Sequence, residues 1–497
     1  MASIAQNFGD NNDILYKIDR FFTRFIGCGL LKKCGITKMA DAAASDTLVY
    51  EYCDNPILRI VGSNPIISKV LEKCVCAKDL LLDKILVGFL DSTPFRMFKH
   101  GDFFREYKKD TFYRFDLLPK ANWERLQTET AANVIKEVES ATTQQHVNCM
   151  IFDDSLYQRT SGKSTELCGV VRDHNDNRNR RGYRMMTGAW TNGEITVPVS
   201  QTLLTTKNPD LMIGPDHSLD RRTLRGKRRA MAKETGTDSV KRMVQQAKKA
   251  DIPFDYILFD TWFSNPSMVV SLKNAGSDVI AMLKKNNTKY IYHDRMHDSD
   301  VVRNITEIYR CNRKRRGRSK YLLSIEVIVM DSEGNSIQAK LVYARNRNDR
   351  KDWVCFICTD LDLDEEDVLR IYTMRWKIEV YFKVCKQYLK LRTECHSTSY
   401  DAITSHMVIV SIRYMIIALD RYYNTDLGSI EDLIYIAQRD VINDMLTQSI
   451  VLIINLLLES VQECLGISET QICQMLDVFM DKLPAEWKGK LCISEKT

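Results

Sequence analysis

The sequence predicts an α/β fold flanked by helical regions, and three observations carry that prediction. Two short apolar runs of strand length, "HVNCMIFDDS" and "FDYILFD", each finish in aspartate. Between and after them lie stretches with apolar residues at helical spacing, such as "TDSVKRMVQQAKKAD". Before about residue 140 and after about residue 395, helical spacing continues without strand-like runs.

In chain order, residues 1–140 form a helical N-terminal region. "NPIISKVLEKCVCAKDLLLDKILVGFL" and "NWERLQTETAANVIKEVESA" both carry apolar positions three and four apart. Between them, "KKDTFYRFDLLPKANWERL" interleaves basic and aromatic residues. That pattern fits a small DNA-binding module, and it fits the surface of an ordinary helix bundle equally well. Residues 141–395 form the α/β unit. Its first strand is "HVNCMIFDDS"; "GYRMMTGAWTNGEITVPVSQTLL" supplies two more, joined by a turn at Thr191-Asn192-Gly193, because Asn-Gly favours tight hairpins. A helix follows at "TDSVKRMVQQAKKAD", with Val240, Met243, Val244 and Ala247 on one side. Then come the strand "FDYILFD", a helix at "NPSMVVSLKNAG" and a strand at "DVIAMLKK". Strand, strand, strand, helix, strand, helix, strand is the order of the ribonuclease H-like fold. Residues 286–362 read as a β-rich insertion with strands at "YLLSIEVIVMD", "NSIQAKLVYARN" and "DWVCFICTD". The last region, 396–497, is helical and offers either a dimer interface or plain core.

Composition narrows the function classes. With 497 residues, the chain exceeds one ordinary core. Its 44% hydrophobic and 27% charged residues suit a globular protein. The net charge of +6 is only a mild invitation to polyanions. The 15 cysteines form no framework, and the Cys355-x-x-Cys358 pair sits in an alternating strand without a second pair, so reduced core thiols are expected. "MASIAQNFGDNND" lacks the basic start and apolar core of a signal peptide. "MVIVSIRYMIIAL" is broken by Arg413, and with "VLIINLLL" it falls short of the roughly 20 residues of a bilayer span. A soluble, intracellular protein without membrane partners is expected.

The chemistry gathers on carboxylates. In open α/β sheets, ligands bind at the carboxyl ends of strands, where Asp153 (with Asp154 beside it) and Asp260 stand. A third acid, Glu379, lies in "YTMRWKIEVYFKVCKQYLK", which reads as a helix entered through the acidic run "DLDLDEED". At 3.6 residues per turn, Tyr372, Arg375, Glu379 and Lys386 share one stripe, while Ile371, Met374, Ile378, Phe382, Cys385 and Leu389 supply a buried side. Such a stripe can be a solvated face stitched by i,i+4 pairs. Alternatively, three carboxylates meeting in a cleft suit hard divalent cations. Two magnesium ions roughly 3.5–4 Å apart activate a water or a 3′-hydroxyl and stabilise the leaving oxygen at a phosphodiester.

The spacing Tyr372-x2-Arg375-x3-Glu379-x6-Lys386 resembles the signature of the insertion sequence 4 family of DDE transposases. The resemblance covers about residues 146–395, including an insertion between the second aspartate and the glutamate. It implies that Asp153, Asp260 and Glu379 are catalytic and bind two Mg2+, with Mn2+ as a substitute. Asp153 is preferred over its neighbour because the family's first aspartate usually stands two before a Thr or Ser, here Ser155, and Asp154 is the alternative. Tyr372, Arg375 and Lys386 would bind transposon-end phosphates. The implied partners are double-stranded DNA, both terminal inverted repeats and target, and a second copy of the chain in a homodimer, in a bacterial cytoplasm. "DTWFSNP" departs from many relatives by placing Trp262 where a small residue precedes the aromatic. Trp353 lies where some relatives stack a tryptophan on a flipped base, but no motif ties it to that role.

Basic clusters at 221–233, 310–320 and 174–184 concentrate cations, and the first two are expected to track DNA phosphates. Two rivals remain at this point. One is a metal-dependent nuclease on the same fold that cuts without joining; the other is a non-enzymatic DNA-binding protein derived from a transposase.

Overall fold

The computed structural model describes chiefly residues 77–89, 109–142 and 146–439, less short stretches at 174–177, 295–297, 316–318, 347–348, 350 and 425–427, with residues 464–482 and scattered positions elsewhere. The expected N-terminal segment 1–13, the first half of the helix expected from residue 64, and "VLIINLLL" up to residue 456 lie outside these residues. The chain divides into two compact units, residues 116–430 and a unit formed by 1–115 with 431–497. Described helices of the latter include α1 (Ala77–Val87), whose Leu80, Leu81 and Ile85 are buried. Helix α2 (Lys109–Asp116) ends at the junction.

In the unit 116–430, α3 (Trp123–Ala141) precedes the sheet and packs on it. Asn122 caps it by accepting from the Arg125 N–H, and its buried face includes Trp123, Leu126, Val134 and Val138. Strands β1 (Cys149–Gln158), β2 (Gly169–Arg172), β3 (Asn179–Thr191) and β4 (Thr196–Leu204) follow. The expected hairpin between β3 and β4 is present. Gly193 takes φ +91°, which a side chain would resist, and Asn192 Oδ1 accepts from the N–H groups of Glu194 and Ile195. At the β3 bulge, a Cβ on Gly188 would come within 2.7 Å of the Phe152 ring, so glycine lets β1 and β3 close.

Helices α4 (Leu224–Ala232) and α5 (Gly236–Lys249) lead to β5 (Tyr256–Phe259), α6 (Pro266–Asn274) and β6 (Asp278–Leu283). The apolar face of α5 is the expected one, with Val240, Met243, Val244 and Ala247 buried. Beyond it stand β7 (Lys289–Asp294), β8 (Ser299–Asn304), α7 (Ile305–Cys311), β9 (Tyr321–Met330), β10 (Ser336–Arg345) and β11 (Trp353–Cys358). The three strands expected in 286–362 are present, joined by β7, β8 and α7, which were not anticipated. Together they form one eleven-stranded sheet in the order β2-β3-β1-β5-β6-β11-β10-β9-β7-β8, with β4 on β3. Pairing is parallel only for β1–β5 and β5–β6. Strand β11 pairs directly with β6, so 286–362 continues the same sheet.

Two expectations change here. The pair Asp153-Asp154 does not end β1, which runs on to Gln158 because β3 is long enough to pair with it down to Gly182. Nor is Tyr372–Lys390 one uniform helix. Helix α8 (Glu365–Tyr372) gives way to a 3₁₀ turn at Thr373–Arg375 before α9 (Trp376–Gln387) begins. Thr373 Oγ1 donates to the Arg370 carbonyl at 2.6 Å, a local bond that competes with regular helical pairing.

Helix α10 (Tyr400–Tyr423) is buried from Tyr400 to Leu419. It is long and apolar enough to cross a membrane, but its apolar stretch lies wholly inside the protein. The guanidinium of Arg413 sits at its centre, fully buried, and pairs with the Glu394 carboxylate. Near its start, Asp401 binds Arg225, Arg228 and Arg229, and Arg229 also forks onto Glu166 at 2.7 and 2.8 Å. Part of the 221–233 basic run thus fastens α4 to α10 instead of facing a polyanion. Burial alone would push the Asp401 carboxyl up, yet Arg229 and Arg228 hold it below the ordinary range. In the other unit, α11 (Glu469–Lys482) is described near the C-terminus.

Replacing Asp401 by Ala leaves buried guanidinium groups without their carboxylate. We expect a loss of about 3–5 kcal/mol in stability, measured by urea unfolding at pH 7. Because the folded-state carboxyl is depressed, the contribution is present above the unfolded carboxyl's range and is lost as pH falls through the folded value.

Candidate active site

The parallel ladder of β1 and β5 matches Phe152 with Phe259 and stops there. The next residues are Asp153 and Asp260, side by side at neighbouring strands spaced by about 4.8 Å. Side chains alternate along β1, so Asp153 and Ser155 share one face and Asp154 takes the other. Asp153 Oδ2 accepts from Arg375 Nη1 at 2.8 Å. The same Nη1 lies 3.7 Å from Glu379 Oε1. Lys386 Nζ donates to Ser155 Oγ. On the opposite face, Asp154 accepts a fork from Arg184 at 2.6 and 2.9 Å. Of the two aspartates, Asp153 meets Arg375 and Asp154 meets Arg184. Asp260 Oδ1 accepts from the Thr261 N–H at 2.5 Å, and the turn continues through Phe263 N–H to the Asp260 carbonyl.

Arg375 is the hub. Its guanidinium interacts electrostatically with Tyr372, Asp153, Asp260 and Glu379, and its side chain is only 12% exposed. The Asp153 carboxyl is pushed up to about 7, first by burial, with Glu379 and Asp154 adding and Arg375 opposing. Lys386 is pulled down to about 8, first by burial and then by Arg392. Burial raises the Tyr372 phenol. Its ring lies 4.7 Å from that of Phe356, and the Arg375 guanidinium beside its buried hydroxyl opposes that rise. All six expected site residues thus converge on one region. The sequence reading missed Arg184, which sits in a basic run whose members look alike.

The position of α9 is set from behind. Gln201 on β4 donates to Tyr381 Oη at 2.8 Å, and Tyr381 Oη and Ser411 Oγ of α10 lie 3.0 Å apart, so the helix bearing Glu379 is tied to sheet and core. Tyr309 stacks on Trp353 at 4.7 Å, and Lys285 Nζ lies 4.2 Å from the indole centroid. Cys355 and Cys358 fall on opposite faces of β11, buried, with the Cys358 thiol pushed up to about 12 mainly by burial.

Among the described residues, no three His, Cys, Asp or Glu side chains gather closely enough to hold a metal ion. The chemistry of the donors is of the kind a hard dication takes: carboxylate oxygens, one of them on a group whose charge is costly to bury. A cation among these carboxylates would compete with Arg375 for them.

Comparison with known proteins agrees in kind. A model described as DDE superfamily endonuclease matches residues 104–321, and one described as transposase DDE domain matches residues 227–416. No curated protein matches. The matches support a DNA-cleaving enzyme of the DDE transposase or endonuclease type, with DNA as its substrate. The large mixed sheet and its helices are consistent with such a nuclease fold.

The electrostatics give a test that needs no DNA. Folded Asp153 keeps its proton up to about pH 7, whereas the unfolded chain releases it near 3.9, so its ionisation disfavours folding as pH rises between those values. Asp153→Asn should therefore stabilise the protein by roughly 1–4 kcal/mol at pH 8, with the advantage shrinking towards pH 4. Thermal melts across that range measure it.

Proposed function

We propose that this chain is the transposase of an insertion sequence, cutting DNA at its element's ends and joining it to target DNA. The observation that carries the reading is the β1–β5 register, which sets Asp153 beside Asp260 while Arg375 links Asp153 to Glu379. The strand order β4-β3-β1-β5-β6, with β1, β5 and β6 parallel, supports a ribonuclease H-like core. The spacing of Tyr372, Arg375, Glu379 and Lys386 supports the insertion sequence 4 family.

In this reading Asp153, Asp260 and Glu379 hold two Mg2+ ions, or Mn2+ in their place. Those ions would supply Lewis acidity at the phosphodiester and an activated water or 3′-hydroxyl. The chain's own residues do the rest. Arg375, half freed from Asp153, and Lys386 neutralise phosphate charge beside the cut. The Tyr372 hydroxyl, beside Arg375, donates to a phosphate oxygen. The region 1–140 contacts DNA, and the region 396–497 contributes to a homodimer, because two ends must meet in one complex. The endonuclease description of one matching model favours a second reading, cutting without joining.

DNA carrying the element's terminal repeats, incubated with Mg2+, tests this. Asp260→Ala and Glu379→Ala should each lower nicking about a thousandfold, as expected when several kcal/mol of charge stabilisation are removed, and chelation should do the same. Intact nicking in either variant would remove the mechanism, and cleaved ends never joined to a target would favour the second reading. Lys386→Ala should weaken DNA binding and reduce its salt slope by about one.

A further inference from the structure

The helix that carries Glu379 has no anchor at its own start. Helix α9 follows the 3₁₀ turn directly, and Arg375 at its N-cap makes no side-chain cap. Its seat lies instead in a row of side chains that crosses the sheet. Asp153 on β1 stands directly opposite Thr187 on β3, and Thr187 stands directly opposite Gln201 on β4. Directly paired residues of an antiparallel ladder point to the same face, so the three form one line. Helix α9 and its N-cap meet that line at both ends. Arg375 Nη1 donates to Asp153 at 2.8 Å, and Gln201 Nε2 donates to the Tyr381 hydroxyl at 2.8 Å. Gln201 Nε2 also donates to Thr187 Oγ1 at 3.2 Å. Its Oε1 accepts from Ser411 Oγ of α10 at 2.6 Å and from Gln127 Nε2 of α3 at 3.4 Å. Ser411 Oγ lies 3.0 Å from the Tyr381 hydroxyl, which closes the ring. All five side chains are buried, and Gln201 uses both its amide hydrogens and both its acceptor sites within the protein.

Ile378, Phe382 and Cys385 also bury α9, but apolar burial is non-directional and leaves a helix free to roll. Hydrogen bonds have direction, and a closed buried network rigidifies what it joins. Helix geometry carries this to the acid. Glu379 and Tyr381 are two residues apart, about 200° around the axis, so the seat of one sets the bearing of the other. A roll of about 20° moves a side-chain tip lying roughly 5–6 Å from the axis by about 2 Å. That matches the whole length of a magnesium–oxygen bond, about 2.1 Å. We propose that Gln201 and Tyr381 are positioning residues: their hydrogen bond fixes the roll of α9 and holds Glu379 where it shares a divalent cation with Asp153. Neither touches the reacting atoms. The cation rests on the function proposed above; the seat of the helix does not.

The test reads cation binding by the full chain without DNA, so that neither cutting nor joining is needed. Mn2+ is the probe, followed by the electron paramagnetic resonance signal of the free ion. Tyr381→Phe keeps the ring and removes the hydroxyl, while Gln201→Leu keeps the bulk and removes the amide. Each should weaken Mn2+ binding about tenfold or more, and the double variant no further than the worse single one, because both break one joint. Tyr381→Phe, the smaller change, decides should Gln201→Leu fail to fold. Val240→Ala on α5 separates positioning from general loosening. That helix lies on the other face of the sheet, where Arg242 donates to Thr202, the neighbour of Gln201. Val240→Ala should lower the melting temperature and leave Mn2+ affinity unchanged. An equal loss in Val240→Ala, or additive losses in the pair, would overturn the proposal. Unchanged affinity in Tyr381→Phe and Gln201→Leu, alongside a loss in Glu379→Gln, would overturn it alone. No Mn2+ uptake by the wild type, or unchanged affinity in Glu379→Gln, would take down the metal reading and this proposal with it.

Discussion

Carboxylates placed side by side where a parallel ladder stops repel, and burial sharpens the repulsion. In this protein one guanidinium, that of Arg375, bears on all of them. It touches Asp153 directly and Glu379 more loosely, and its own placement depends on a 3₁₀ turn between two helices. The sheet supplies the negative charge and the helix supplies both more of it and its compensation. That the Asp153 carboxyl still rises means the compensation is partial. In the function proposed above, cations and phosphates would meet opposite halves of the same machinery.

Much of this was legible in the sequence because it follows from short-range rules. Strand-length apolar runs marked β1 and β5, Asn-Gly marked the hairpin, and helical spacing marked the buried face of α5. The stripe from Tyr372 to Lys386 was readable even though the 3₁₀ turn interrupts it, since that turn is short and both flanking helices keep their buried sides. The register of β1 against β5 was beyond reach, because pairing partners are chosen by tertiary packing. Strands β7 and β8 escaped notice for a different reason. The inward positions of β7 are Tyr290, Tyr292 and Asp294, and four of the six residues of β8 are polar or charged. The helix after them did leave a signal in "NITE", whose Asn304 and Glu307 close a capping box.

Basic runs carry the clearest lesson about context. Arg225, Arg228 and Arg229 look like DNA ligands in one dimension and are an internal clamp in three. Their partner Asp401 lies far along the chain, so no local reading could pair them. Arg184 shows the reverse, a cation in an unremarkable run that ends up bracing an exposed indole.

The alternation of β1 sends adjacent acids to opposite sides, Asp153 to Arg375 and Asp154 to Arg184. One strand thereby serves two compartments through neighbouring letters of its code. Side chains upstream on that strand can drift under mutation, provided they stay apolar. Its count cannot, because a single inserted or deleted codon between Cys149 and Phe152 would trade the two acids' destinations and leave both compartments wired to the wrong partner.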